Sequence, residues 1–135
     1  MMTNRYEKEF VEMHDFFRAW FRGEVEKTEV AFRRMADVCA EGFTFVTATG
    51  NVLKRDAVLK RFFDRHGMIP TYNFWIENAT IQQQHGDVTI CTFDLEEAEE
   101  RTGDEVVTTT AVYREDASAP NGVVFLFVQD TPRAE

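Results

Sequence analysis

In the segment FFDRHGMIPTYNFWIENATIQQ, residues 62–83, the spacing of the apolar residues changes at Pro70. Before Pro70, apolar residues recur every three or four positions and predict a helix from about residue 55 to residue 66, which Gly67 and Pro70 end. After Pro70, apolar and polar residues alternate over residues 72–83, which is typical of a strand. The alternation does not decide which side of this strand faces the core.

The chain before this segment is predicted to be mostly helical. A first helix is expected over residues 4–26, where Asn4 and Glu7 have the spacing of a capping box. Its apolar residues form one stripe that Phe16 and Phe21 widen: Tyr6, Phe10, Met13, Phe17 and Trp20. A second helix, capped by Thr28, is expected to continue to Gly42, and a short strand follows at residues 43–47.

The chain after this segment is predicted to form three more strands, at residues 88–97, 106–114 and 123–129. Each is separated from the one before by a short turn or loop that contains Gly, so the connections are hairpins and the sheet is antiparallel. The last strand is apolar on both faces, which favours a central position. The sequence therefore predicts a single α+β domain over residues 1–135.

Composition and charge narrow the classes of function. Of the 135 residues 44% are hydrophobic and 13 are Phe, so the chain has the material for a sizeable core. The formal net charge of −9 makes nucleic acid a poor partner, because binding it depends on Lys and Arg that neutralise phosphates. The same charge weighs against binding to an anionic membrane surface.

The two cysteines, Cys39 and Cys91, do not form a C-x-x-C pair. No apolar stretch follows a basic start as in a secretory signal, and none approaches the roughly 20 residues that span a bilayer. We therefore expect a cytoplasmic protein with two free thiols. The three histidines are scattered without a metal-ligand spacing, so neither a metal nor another cofactor is predicted.

The order of the predicted elements resembles the nuclear transport factor 2-like superfamily, which includes ketosteroid isomerase, scytalone dehydratase and the SnoaL-like polyketide cyclases. Three segments carry this resemblance: Trp20-Phe21-Arg22-Gly23-Glu24, residues 43–50 and residues 123–129. It implies a cone, in which three N-terminal helices pack in the concave face of a strongly curved antiparallel sheet around an apolar cavity. It also implies a homodimer, commonly built through the outer face of the sheet. The chain is most similar to the uncharacterised branch that resembles ketosteroid isomerase.

The catalytic residues of ketosteroid isomerase do not carry over to this sequence. The position that resembles its carboxylate base is Thr47, whose hydroxyl cannot take a proton from carbon near neutral pH. The positions that resemble its two oxyanion donors fall near Phe16 and Ala111, which have no donor. The isomerase reaction itself is therefore not expected here.

Other residues could supply acid–base chemistry. Alternation places Glu97 on the same face as Phe93 and Leu95, so this carboxylate points into the cavity if the strand still lies over the core there. His14 on the first helix could act as base if it faces the cavity, or it lies at the edge of the apolar stripe. Tyr113 and Gln129 are candidate donors.

A set of mostly aromatic residues is predicted to bind the ligand, because apolar walls with few polar anchors are the usual composition of small-molecule sites. Taken singly, each aromatic residue of the set is better explained as ordinary core. The predicted ligand-binding residues are Phe17, Trp20, Thr47, Trp75, Phe93, Thr109, Phe127 and Gln129.

Three functions are consistent with these residues. The first is a domain that binds a small apolar or aromatic molecule in an aromatic-lined pocket. The second is an enzyme of lyase, isomerase or cyclase type that uses a pocket carboxylate or histidine as general base. The third is a protein-interaction module whose cavity is filled by its own side chains.

Overall fold

The computed structural model describes residues 4–133, and its helices and strands follow the predicted order with one addition. The elements are α1 (Arg5–Arg22), α2 (Glu29–Ala36), β1 (Cys39–Val46), β2 (Val52–Lys54), α3 (Arg55–Asp64), β3 (Asn73–His85), β4 (Val88–Ala98), β5 (Val107–Glu115) and β6 (Val123–Pro132). The added element is β2, a strand of three residues between β1 and α3.

The first helix begins as predicted and ends earlier. Asn4 accepts a hydrogen bond from the backbone N–H of Glu7 at 2.8 Å, which confirms the cap at its start. The helix stops at Arg22 because Gly23 takes the left-handed conformation, with φ of 75°, and its N–H turns back to the carbonyl of Trp20. The predicted end at residue 26 was therefore four residues too far.

The second helix is also shorter than predicted, because it ends at Ala36 and the chain enters β1 at Cys39. Cys39 pairs with Phe125 in β6, and the register of this pairing shifts before Thr44. Gly42, with φ of 81°, lies in the shifted segment. The glycine that was interpreted as the end of a helix is thus a feature of an irregular strand.

The six strands form one sheet in the order β2-β1-β6-β5-β4-β3. The three consecutive hairpins that join β3 to β6 are antiparallel, as predicted. The contact of β1 with β6 is parallel, so the sheet is mixed and mostly antiparallel. β6 occupies the central position expected from its apolar sequence.

The helices pack in the concave face of this sheet, which confirms the predicted α+β architecture. The ring of Phe10 in α1 lies parallel to the ring of Phe93 in β4, with centroids 4.0 Å apart. The hydroxyl of Tyr113 in β5 donates to the backbone oxygen of Tyr6 at 3.0 Å. Apolar and polar contacts thus hold α1 across the middle strands of the sheet.

No helix in the part of the chain that the structure describes is both long and apolar enough to cross a membrane.

Candidate functional site

A cavity lies between α1, α3 and the concave face of the sheet. The volume accessible to the centre of a water molecule is about 60 Å³, which is more than a single water molecule needs. Most of the lining is apolar, and six phenylalanines contribute to it: Phe10, Phe17, Phe43, Phe45, Phe62 and Phe125. Four polar residues also line the cavity: His14, Glu97, Thr109 and Asp130.

His14 is a neutral hydrogen-bond acceptor in this cavity. Its side chain is 4% exposed, and burial lowers its pKa to about 4, against the opposing effects of the Phe10 carbonyl and of nearby acids. Nδ1 lies 2.8 Å from the backbone oxygen of Phe10, and because a carbonyl can only accept, the proton is on Nδ1. Nε2 therefore presents a lone pair.

Glu97, near the end of β4, stands where the cavity meets solvent. The residue lines the cavity and is also exposed to solvent, so it lies at the mouth of the cavity. The hydroxyl of Tyr72 donates to its Oε2. Desolvation by the surrounding protein raises the pKa of Glu97, and the hydrogen bond from Tyr72 acts in the opposite direction.

Asp130 in β6 is the second carboxyl group of the site. Thr109, 1% exposed and paired with Asp130 across the β5–β6 ladder, donates from Oγ1 to Oδ1 at 2.7 Å. Burial raises the pKa of Asp130 and the hydrogen bond from Thr109 lowers it, while the charge of Glu97 raises it further. The two carboxyl groups are therefore close enough to influence each other.

A β-bulge in the last strand places Asp130 in the cavity. Phe125 pairs with Tyr113 and Phe127 pairs with Val112, so Leu126 is one residue more than the partner strand accommodates. The extra residue reverses the alternation beyond it, and Val128 and Asp130 line the cavity. Phe127 and Gln129, predicted to share the face of Phe125, instead lie on the outer face of the sheet, away from the cavity.

The structure brings four of the predicted site residues together. His14, Phe17, Glu97 and Thr109 all line the cavity. Phe93 lies one layer behind the lining, stacked on Phe10.

The other predicted residues lie elsewhere. Trp20 is fully buried, with its ring 4.9 Å from that of Phe32 and its Nε1 donating to the Phe62 carbonyl at 2.9 Å. Tyr113 packs against the rings of Tyr6 and Phe125 and does not line the cavity. Neither residue is placed to contact a molecule in this cavity.

Thr47 and Trp75 also lie away from the cavity. Thr47 is in the turn between β1 and β2, where its Oγ1 accepts from the N–H of Asn51 at 3.0 Å. Trp75 pairs with Glu96 and lies on the outer face, because Phe74 and Glu97 form the neighbouring inward pair. This register settles the orientation of β3, which the sequence left open.

Two residues of the site, Tyr72 and Asp130, were not predicted. Tyr72 precedes β3, and its place on the inward side follows from alternation with Phe74 once the orientation of β3 is known. Asp130 carried no usable signal, because uninterrupted alternation from Phe125 places it on the outer face. Among residues 4–133, no group of three His, Cys, Asp or Glu side chains could hold a metal ion.

Solved structures share this fold over most of the chain. A nuclear transport factor 2-like protein of unknown function from Pseudomonas aeruginosa is 20% identical, with a TM-score of 0.80 over 96% of this chain and 99% of that one. A protein from Parabacteroides distasonis assigned provisionally as a ketosteroid isomerase is 11% identical, with a TM-score of 0.57 over 92% and 85%. One from Thiobacillus denitrificans assigned provisionally as a calcium/calmodulin-dependent protein kinase type II association domain is 17% identical, with a TM-score of 0.61 over 76% and 82%.

These likenesses confirm the nuclear transport factor 2-like fold that the sequence resembles. Comparison with curated proteins finds no match. A family model matches residues 6–134, which is nearly the whole chain. The chain therefore belongs to the family described as sucrose-6-phosphate phosphohydrolase C-terminal.

Proposed function

We propose that this domain binds a small, mostly apolar molecule in the cavity between α1 and the sheet. The observation that carries the proposal is the composition of the lining, in which six phenylalanines surround a few polar groups contributed by α1, β4, β5 and β6. Apolar walls with a few convergent polar groups are typical of small-molecule sites. The small volume of the cavity favours a small ligand.

The name of the family points to a sugar phosphate, and the cavity does not favour one. No Lys or Arg of residues 4–133 lines it, whereas Glu97 and Asp130 both do. A phosphate group would meet two carboxyl groups and no compensating cation, so the electrostatic interaction would be repulsive. An apolar ligand meets no such barrier.

The proposal is tested with small apolar probes and a pair of variants of β6. Binding of toluene, cyclohexanol and indole is followed by ¹H–¹⁵N NMR shifts and by the midpoint of thermal unfolding. Val128→Phe fills the cavity from its wall and should abolish binding, whereas Gln129→Phe adds a similar ring on the outer face and should leave binding unchanged. If no probe binds the wild-type protein, the binding proposal is wrong.

A second candidate function is acid–base catalysis in the same cavity. Two features favour it: the neutral imidazole of His14 has a free lone pair, and the pKa values of the Glu97 and Asp130 carboxyl groups in the same cavity are raised. Glu97→Gln should then abolish turnover of any substrate that is found while leaving its affinity nearly unchanged. Unaltered turnover in that variant would exclude Glu97 as the base.

We also propose that the domain forms a homodimer through the outer face of the sheet. Apolar side chains on this face remain only half-buried, among them Ile90, Val112 and Phe127. Two solved structures with this fold are assigned provisionally as association domains. Light scattering on a size-exclusion column should give twice the 15.7 kDa chain mass, and Val112→Lys should give the monomer.

A further inference from the structure

The polar end of the cavity contains hydrogen-bond acceptors, and no Lys or Arg of residues 4–133 lines it. Among residues 4–133, the hydroxyls of Tyr72 and Thr109 already donate to Glu97 Oε2 and Asp130 Oδ1, and Nδ1–H of His14 donates to the Phe10 carbonyl. No hydrogen bond from residues 4–133 reaches Glu97 Oε1 or Asp130 Oδ2. The cavity therefore offers two carboxylate oxygens that a ligand could satisfy.

His14 supplies a second, independent observation of the same kind. Its side chain is more than nine-tenths buried, and its only hydrogen bond within the described residues is from Nδ1 to Phe10. The lone pair on Nε2 is therefore an unpartnered acceptor in a buried side chain that lines the cavity. A lone pair that faces the cavity from an otherwise buried side chain is open to a donor from a ligand.

The apolar part of the lining favours the same kind of ligand. Phenylalanine rings carry negative charge on their faces and attract cations. Six of them line this cavity, so its walls suit a ligand that carries a positive charge beside an apolar body.

We infer that the ligand is a small amine, held as its ammonium cation with its N–H groups donating to Glu97 and Asp130 and its apolar part among the phenylalanines. The inference rests on the proposed binding function and names the chemical class of the ligand. An alcohol of the same shape could donate one hydrogen bond but would lack the charge that two carboxylates attract.

The groups around the two carboxylates determine how binding depends on pH. His14 faces them from α1, Thr109 from β5 and Tyr72 from the segment before β3. Arg18 and Asp15 on α1 pair with each other at 2.9 Å, and their charges act on Tyr72 and on His14 respectively. Because acid protonates Glu97 and Asp130 and so removes their charge, affinity for an ammonium ion should fall as the pH is lowered, whereas affinity for an alcohol should not.

The experiment compares cyclohexylamine, cyclohexanol and cyclohexanecarboxylate by isothermal titration calorimetry at pH 8 and pH 5. We expect the amine to bind at least tenfold more tightly than the alcohol at pH 8, the carboxylate not to bind, and the ratio of amine to alcohol to shrink at pH 5. In the double variant Glu97→Gln, Asp130→Asn the ratio should fall to about one, while retained binding of the alcohol shows that the cavity is intact.

A control variant separates the site from the overall charge of the protein. Asp94→Asn removes a negative charge from the outer face of β4, the strand that also contains Glu97. Asp94 pairs there with Arg133, so this variant should leave the ratio of amine to alcohol affinity unchanged. Equal affinity for amine and alcohol in the wild-type protein would overturn the inference and leave the binding function standing. Absence of binding by all three probes would overturn both.

Discussion

An ion pair inside the helical layer gives a quantitative prediction. Glu9 in α1 is 0% exposed, and its Oε2 lies 2.9 Å from Nη2 of Arg34 in α2. Asn121, in the loop between β5 and β6, donates to Oε1 of Glu9 at 3.1 Å and to Oε1 of Glu12 at 2.9 Å. This cluster joins two helices and a loop, so its loss should affect the stability of the whole domain.

Replacing Arg34 with Met removes the cation and leaves the carboxylate enclosed. Breaking a buried pair in this way costs about 3–5 kcal/mol, because the remaining charge loses its counter-ion and is not hydrated in exchange. Asn121 still donates to Glu9, so we expect the lower end of that range, about 3 kcal/mol and a fall of roughly 10 °C in the unfolding midpoint. The double variant Glu9→Met, Arg34→Met leaves no buried charge and should lie within about 1 kcal/mol of the wild type.

The loss in the free energy of unfolding that Arg34→Met causes should depend on pH in a defined direction. Burial raises the pKa of Glu9, and Arg34 opposes that effect, so loss of Arg34 raises the pKa further. A carboxyl group with a higher pKa in the folded than in the unfolded state binds protons more readily when folded. Stability is therefore lost as the pH rises from the unfolded value of 4.5 through the folded pKa, and the deficit should be smaller at pH 5 than at pH 8.

Urea unfolding followed by tryptophan fluorescence at pH 5, 7 and 8 measures these free energies. Arg33→Met is the matched control, since Arg33 is the exposed neighbour and its loss should change the free energy of unfolding by at most about 0.5 kcal/mol. A cost below about 1 kcal/mol for Arg34→Met at pH 7, or a deficit that is the same at all three pH values, would refute the reasoning.

Two further substitutions test individual contacts. Tyr113→Phe removes the hydrogen bond to the carbonyl of Tyr6 and should lower the free energy of unfolding, measured with urea, by about 1 kcal/mol. Affinity for the cavity probes should not change, and a change would show that Tyr113 belongs to the binding site. Gly23→Ala puts a Cβ 3.3 Å from the backbone of Gly67 at a φ of 75°, whereas Gly42→Ala, at 81°, meets nothing within 4 Å. Both variants should be destabilised by about 1–2 kcal/mol, because alanine is strained in the left-handed backbone conformation. Thermal unfolding should show a larger loss of stability for Gly23→Ala, and equal losses would mean that the contact with Gly67 is unimportant.

The elements that the sequence predicted correctly have local causes. The apolar stripe of α1, the change of period at Pro70 and the turns between β3 and β6 each lie within a short stretch of chain. The parallel contact of β1 with β6 joins residues 83 to 86 positions apart, and β2 has only three residues. Neither feature therefore produces a periodic pattern within a short stretch of sequence.

The candidate site was predictable where alternation runs without interruption. Thr109 and Glu97 lie on the cavity side, as alternation predicts, because β4 and β5 keep one register from Val88 to Leu95 and Glu97 continues the alternation beyond it. Trp75 could not be placed, since both faces of β3 carry large side chains and only the pairing of Phe74 with Glu97 shows which face is inward. His14 lines the cavity beside Phe17, one turn further along α1, as an amphipathic helix requires.

The bulge at Leu126 explains why this cavity has the chemistry that it does. A regular β6 would turn Phe127 and Gln129 inward and would close the wall with a ring and a neutral amide. The extra residue substitutes Val128, which is smaller than Phe and leaves space, and Asp130, which brings a second carboxyl group opposite Thr109. One additional residue in the central strand therefore both opens the cavity and gives it the charge on which the inferred selectivity for amines depends.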